Sequence, residues 1–220
     1  MMMRSRLVRP SGSFLESSLT LEQLSIPERF LALGDSFTIG TGTTPDRSFP
    51  AMLARIWIEH GRGVALSNPA VNGYTTDDLI HEELPLVAAF SPTLITLLIG
   101  ANDIVQGSSD DRYRRQLRSI HERLRGDAPD ARVIALPQPD WSMSSAGSGF
   151  GDRGSIARKI ERFNEIARTE AERARAVWID LFPLMRDQSR KKMFAPDGLH
   201  PSAEAYADWA RELATKASAS

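Results

Sequence analysis

The most constraining stretch of this 220-residue chain is Leu94-Ile-Thr-Leu-Leu-Ile99. It is apolar at nearly every position and too short to cross a bilayer. Such a run suits a strand buried on both faces of a parallel sheet. Four further β-like runs fall at 30–33, 64–67, 132–136 and 177–179. Helical patterns lie between them at 48–60, 76–83, 111–125 and 155–174, with a last one at 202–217. In the fourth, Ile156, Ile160, Phe163 and Ile166 share one face, with Arg, Lys and Glu opposite. Thr75-Thr-Asp-Asp78 reads as a capped, acid-rich first turn. This alternation predicts an α/β fold whose parallel sheet is covered by helices on both faces.

The length fits one such domain, over 28–220, with an extension at 1–27 carrying one short helix around 18–24. At 41% hydrophobic and 25% charged residues, the chain can bury a sizeable core. It has no cysteine, which excludes disulfide scaffolds, thiol nucleophiles, Fe–S clusters and cysteine-based zinc sites. Lys and Arg total 27 against 28 Asp and Glu, so no global field attracts nucleic acid or an anionic membrane. The Arg-rich stretch 110–127 sets six Arg against four acids, the pattern of a solvated, ion-paired helix face. Arg4, Arg6 and Arg9 are followed by Glu16 and Glu22 rather than an apolar core, so no secretory signal is expected. Neither a nucleic-acid partner nor stable membrane insertion is expected, and cytoplasmic residence is the default.

In an open parallel sheet, ligands bind beyond the carboxyl ends of the strands. Polar, Gly-containing clusters follow the first three strand candidates: Gly34-Asp-Ser36, Asn68-Pro-Ala-Val-Asn72-Gly73 and Gly100-Ala-Asn102-Asp103. A fourth, Asp197-Gly-Leu-His200-Pro201, precedes the last helix. A serine needs a base to become a nucleophile, and histidine is the usual one. His60 precedes Gly61 at a helix end, and His121 lies inside a charged helix. His81 has Asp77 and Asp78 one turn upstream, although these acids read as first-turn residues. His200 follows Asp197 by three residues, a spacing that lets the carboxylate orient Nδ1 and leave Nε2 free for a serine proton.

Singly, each cluster also describes an ordinary turn or helix cap, and Thr38 rules out the G-x-S-x-G elbow. In order and placement, however, they resemble the GDSL-like, or SGNH, hydrolases over residues 29–215. Gly34-Asp35-Ser36 matches the first block of that family, with Ser36 as the implied nucleophile, although Phe37 stands where the family name has Leu. Gly73 in Val71-Asn-Gly-Tyr74 matches the block that supplies an oxyanion-hole glycine. Gly100-Ala-Asn102-Asp103 matches the Gly-x-Asn-Asp block, and Asp197-Gly-Leu-His200 the terminal Asp-x-x-His block.

The resemblance implies a flavodoxin-like α/β/α sandwich of about five parallel strands. It implies a Ser36–His200–Asp197 triad and an oxyanion hole from the N–H groups of Ser36 and Gly73 and the side-chain amide of Asn102. The implied activity is hydrolysis of a small-molecule carboxylic ester through an acyl-enzyme, with no cofactor and no metal. A thioester or lysophospholipid substrate would use the same triad. A module of the same topology binding a phosphorylated or flavin ligand is the reading from another class, although the chain lacks the glycine-rich phosphate loops. Asp35 and Asp103 read as buried acceptors holding turn N–H groups. The one long connection, 137–154, is rich in Ser and Gly. Its Trp141 is expected to border the site beside a small acyl or ring group, which favours short acyl chains. The sequence is silent on oligomeric state.

Overall fold

A computed structural model describes residues 27–218. The extension and its expected helix at 18–24 lie outside the described residues. Five strands, β1 (Glu28–Gly34), β2 (Val64–Ser67), β3 (Leu94–Leu98), β4 (Arg132–Ala135) and β5 (Val177–Trp178), form one parallel sheet in the order β2-β1-β3-β4-β5. All five expected strands are present.

Period-2 alternation divides the core between the two faces of the sheet. Phe30, Ala32, Leu94 and Leu98 point to one side. They pack there against α2 (Phe49–Glu59) and α9 (Ala203–Ser218) through Phe49, Leu53, Tyr206 and Trp209. Leu31, Leu33, Ile95 and Leu97 point to the other side. They meet α6 (Asp110–Asp127) and α7 (Arg153–Arg173) through Tyr113, Leu117, Ile120, Phe163 and Ile166.

The strand order reverses between β1 and β3, and this is where an open α/β sheet leaves a crevice. Gly34 at the end of β1 is in register with Leu98 at the end of β3. The loops that follow these two strands are therefore neighbours, and each opens a short helix: α1 (Ser36–Ile39) and α5 (Ala101–Val105). The expected helix over 76–83 begins as α3 (Thr76–Asp78), under a Thr75–Asp78 capping box. It then widens to a π-turn over Leu79–Glu83, closed by the Leu84 N–H bonding back to Leu79 O at 3.0 Å. Pro85 opens α4 (Pro85–Phe90) immediately afterwards. Proline lacks an N–H and its ring crowds the carbonyl four residues back, which the wider turn accommodates. The last of the helices outside the sequence expectation is α8 (Phe182–Arg190).

Candidate active site

Ser36 is the first residue of α1 and is buried at 5% exposure. Asp35 caps this helix, accepting the Phe37 N–H on Oδ1 at 3.0 Å, while the Asp35 carbonyl accepts from Thr38 and Ile39. The Ser36 N–H makes no hydrogen bond among the described residues. Gly34 makes the approach of α1 to β3 possible: a Cβ there would lie 2.2 Å from the Leu98 carbonyl oxygen.

Across the crevice, Asn102 lies in the first turn of α5 and donates from Nδ2 to the Tyr74 carbonyl at 2.9 Å. Asp103 beside it accepts the Thr76 N–H at 2.9 Å and the Thr76 hydroxyl at 2.6 Å. Both bonds tie the loop after β3 to the loop after β2, which carries Gly73. Gly73 is exposed, and its N–H makes no hydrogen bond among the described residues. Its φ of +91° requires glycine there, and the protein itself leaves open space where a Cβ would stand.

The Asp197–His200 turn closes the third side. Asp197 Oδ2 lies 2.8 Å from His200 Nδ1, while Oδ1 accepts the N–H groups of Leu199 at 2.9 Å and His200 at 3.0 Å. Partial burial pushes the Asp197 carboxyl up, but these donors outweigh it and hold the group below the usual carboxylate range. The His200 ring is buried and lies 5.5 Å, centroid to centroid, from the ring of Phe37, the residue after Ser36. The long loop braces this turn from behind, with Ala146 N–H and Ser145 Oγ both donating to the Gly198 carbonyl at 3.1 and 3.2 Å.

A family model described as the GDSL-like Lipase/Acylhydrolase family matches residues 32–207, most of the chain and every one of these loops. The protein belongs to this family. An arylesterase of Vibrio mimicus is 24% identical over 180 residues, which cover 81% of this chain and 82% of the relative. A GDSL-like esterase of Mycobacterium tuberculosis is 30% identical over 194 residues, covering 80% of this chain and 57% of the relative. Among solved structures, TesA superposes with a TM-score of 0.68 at 22% identity, covering 84% of this chain and 96% of that one. The acetylxylan esterase Axe2 of Geobacillus stearothermophilus gives 0.68 at 18% identity, covering 86% and 93%. At these identities the two structures show a shared fold.

In this GDSL-like hydrolase Trp141 departs from the sequence expectation. Its ring is 3% exposed and packs edge-on against Phe150 at 5.7 Å, within the same core cluster as Phe37 and Ile156. It anchors the 137–154 loop and presents no open face to a substrate, because an indole of this size at the sheet margin gains most by burial. His81 is exposed, with Nδ1 at 2.8 Å from the Asp77 carbonyl oxygen, the geometry of a surface helix residue. His121 is buried, which pushes its imidazole down to about 4. A cavity of about 580 Å³, lined by His121, Arg132 and Val177 among others, opens at the amino ends of β4 and β5, away from these loops.

The sequence reading gives no role to three residues at the site. Gly42 lies against the acid–base turn, where a Cβ would come within 3.1 Å of Asp197 Oδ2 and 3.3 Å of His200 Cβ. Asn68 donates to the Thr38 carbonyl at 3.0 Å and so ties α1 to the loop after β2. Glu83 accepts the Gly34 N–H. The polar Asn68 directly after β2 was a usable signal, and so was the glycine spacing of Gly40-Thr-Gly42. Among the described residues no three His, Asp or Glu side chains are grouped to hold a metal ion, and no helix is long and apolar enough to cross a membrane.

Proposed function

We propose that this carboxylic ester hydrolase works through a Ser36–His200–Asp197 triad and an oxyanion hole made by the N–H groups of Ser36 and Gly73 and the Asn102 amide. The observation that carries the reading is the 2.8 Å contact of Asp197 Oδ2 with His200 Nδ1, on a turn whose imidazole packs against the residue next to Ser36. A carboxylate on Nδ1 fixes the tautomer in which Nε2 is the base.

The proton accounting follows from that tautomer. As Ser36 Oγ attacks the ester carbonyl, its proton passes to His200 Nε2 and the carbonyl oxygen becomes an oxyanion facing the three donors. Collapse breaks the bond to the leaving alcohol, which takes the proton from Nε2. Water then attacks the acyl-enzyme, gives a proton to Nε2, and the second collapse returns that proton to Ser36. The donors are aimed where charge develops, and each is worth ~2.7–4 kcal/mol in such sites.

The substrates we infer are esters of short acyl groups, a class to which the substrate of the acetylxylan esterase neighbour belongs by name. Support comes from the scarcity of large apolar side chains around the loops, where Val71, Val105 and Phe150 are the exposed ones. A fluorophosphonate probe tests the assignment. It is expected to label Ser36 in the wild-type protein and to leave Ser36→Ala unlabelled. Labelling of a different serine overturns it.

A further inference from the structure

Three carboxyl groups are buried behind Ser36, and only one of them is fully satisfied. Asp103 spends both oxygens on Thr76. Asp35 is 0% exposed and Glu83 is 1% exposed, and each uses one oxygen on a neighbouring N–H: Oδ1 of Asp35 on Phe37, Oε2 of Glu83 on Gly34 at 2.9 Å. The remaining oxygens, Asp35 Oδ2 and Glu83 Oε1, are buried without a partner. Among the described residues no Lys or Arg forms an ion pair with either acid. The two groups flank Gly34, one bonded to its N–H and the other on the next residue. A proton held by Glu83 and turned toward the Asp35 carboxyl, which also feels the Ala101 N–H at the start of α5, would ease the burial of both groups.

We propose that Glu83 is a positioning residue for the nucleophile, one half of a carboxyl–carboxylate pair with Asp35 that holds the Gly34-Asp35-Ser36 turn in its reactive shape. The proposal rests on Ser36 being the nucleophile. Glu83 follows the buried Leu79 by one turn and shares its inward face, while Glu82 and His81 stay in solvent. Burial pushes Glu83 up to about 8, and the charge of Asp35 adds to that. Burial pushes Asp35 up to about 7, with Asp103 acting in the same direction. The other titratable groups acting on this pair are Tyr113 of α6 and Tyr206 of α9, both pushed up and neutral, and Tyr74 of the loop after β2, raised by burial. The cation nearest in effect is Arg112, which acts on Asp103. The pair therefore sheds its protons across the neutral range and loses the last of them on the alkaline side.

The experiment compares wild type, Glu83→Gln and Glu83→Leu by kcat and KM across pH, with fluorophosphonate labelling of Ser36 in all three. Glutamine keeps an oxygen for the Gly34 N–H and an amide donor for Asp35 Oδ2, but has no proton to lose. It is expected to retain kcat within about 3-fold near neutral pH and to abolish an alkaline fall of kcat that the wild type shows near its Glu83 value of about 8. Leucine removes both partners, and kcat is expected to fall about 10²-fold with KM little changed, since misplacing a reacting group has that order of effect. An alkaline limb that persists in Glu83→Gln overturns the proposal, as does a Glu83→Leu protein that labels and turns over at wild-type rates. If leucine prevents folding, the glutamine profile decides alone. Wild-type protein that hydrolyses esters without labelling at Ser36 overturns the nucleophile assignment itself, and the proposal with it.

Discussion

Asn102 Nδ2 donates to the Tyr74 carbonyl at 2.9 Å, so the residue proposed to bind the oxyanion also holds the loop that carries Gly73. The amide has two hydrogens, and this bond uses one. The second is left for the substrate, oriented by the first. Two of the three proposed donors are thereby coupled through one side chain. Asn102→Ala is expected to lower kcat and kcat/KM together by ~10²–10³, the size of a lost oxyanion donor. Asn102→Asp should be worse, because it replaces the donor by a negative charge facing the developing oxyanion. Steady-state kinetics on a p-nitrophenyl ester checks both, and an alanine variant within a few-fold of wild type would remove Asn102 from the hole.

The triad assignment ranks the histidines. His200→Ala is expected to lose activity by ~10³-fold or more, as Ser36→Ala does, because such residues act as a unit. His81→Ala should leave turnover unchanged, since that ring sits on the surface against a backbone carbonyl. Asp197→Asn is expected to fall between them. Its oxygen can still serve the Leu199 and His200 N–H groups, but its amide would meet Nδ1 as a donor and favour the wrong tautomer. A His81 variant weaker than the His200 variant would move the base.

Much of this architecture was legible in the sequence because the sheet is buried on both faces. β3 falls where the apolar run placed it, and α6 and α7 agree to within a residue or two, since their stripes are long enough for the period to show. What escaped reading was short or reoriented. α1 and α5 span four and five residues, too few for any periodicity, so the helices bearing Ser36 and Asn102 read only as turns. Glu83 sits in His81-Glu-Glu83, which reads as a solvated run, although its spacing of four from Leu79 puts it on the buried face. Trp141 was expected at the site because its loop is long and polar, but the gain from burying the indole turned it into the core.

The buried acids give stability a pH dependence with a definite sign. Glu83 titrates near 4.5 in an unfolded chain and is pushed up to about 8 in the fold. Between those values the folded state holds a proton that the unfolded state has lost, so stability falls as pH rises and the contribution is gone above about 8. Asp35, pushed up to about 7, adds in the same direction. His121 opposes them at the acid end. Pushed down to about 4 from 6.5, it makes the fold lose stability as pH drops between those values. Thermal melts of wild type and Glu83→Gln across this range isolate the first effect: the wild-type Tm is expected to drop relative to the variant from mildly acidic to mildly alkaline pH. Parallel curves would mean that Glu83 is ionised in the fold.

Acyl length follows from how little apolar surface the site loops expose. Trp141 is turned inward, and Phe150 is exposed but rests its ring on the edge of Trp141. Near the proposed oxyanion donors the exposed apolar side chains are Val71 and Val105, at 41% and 45%. A methylene gains ~0.8 kcal/mol only where it leaves water for a dry surface. A tenfold preference corresponds to ~1.4 kcal/mol, so fewer than two such methylenes would produce it. Laurate adds several times that number to butyrate, which makes the comparison sensitive to even a partial groove. We expect kcat/KM on p-nitrophenyl esters to be highest for acyl groups of about two to six carbons and flat or falling beyond them. An advantage of about tenfold or more for decanoate or laurate over butyrate would reveal an apolar channel that the described loops do not form.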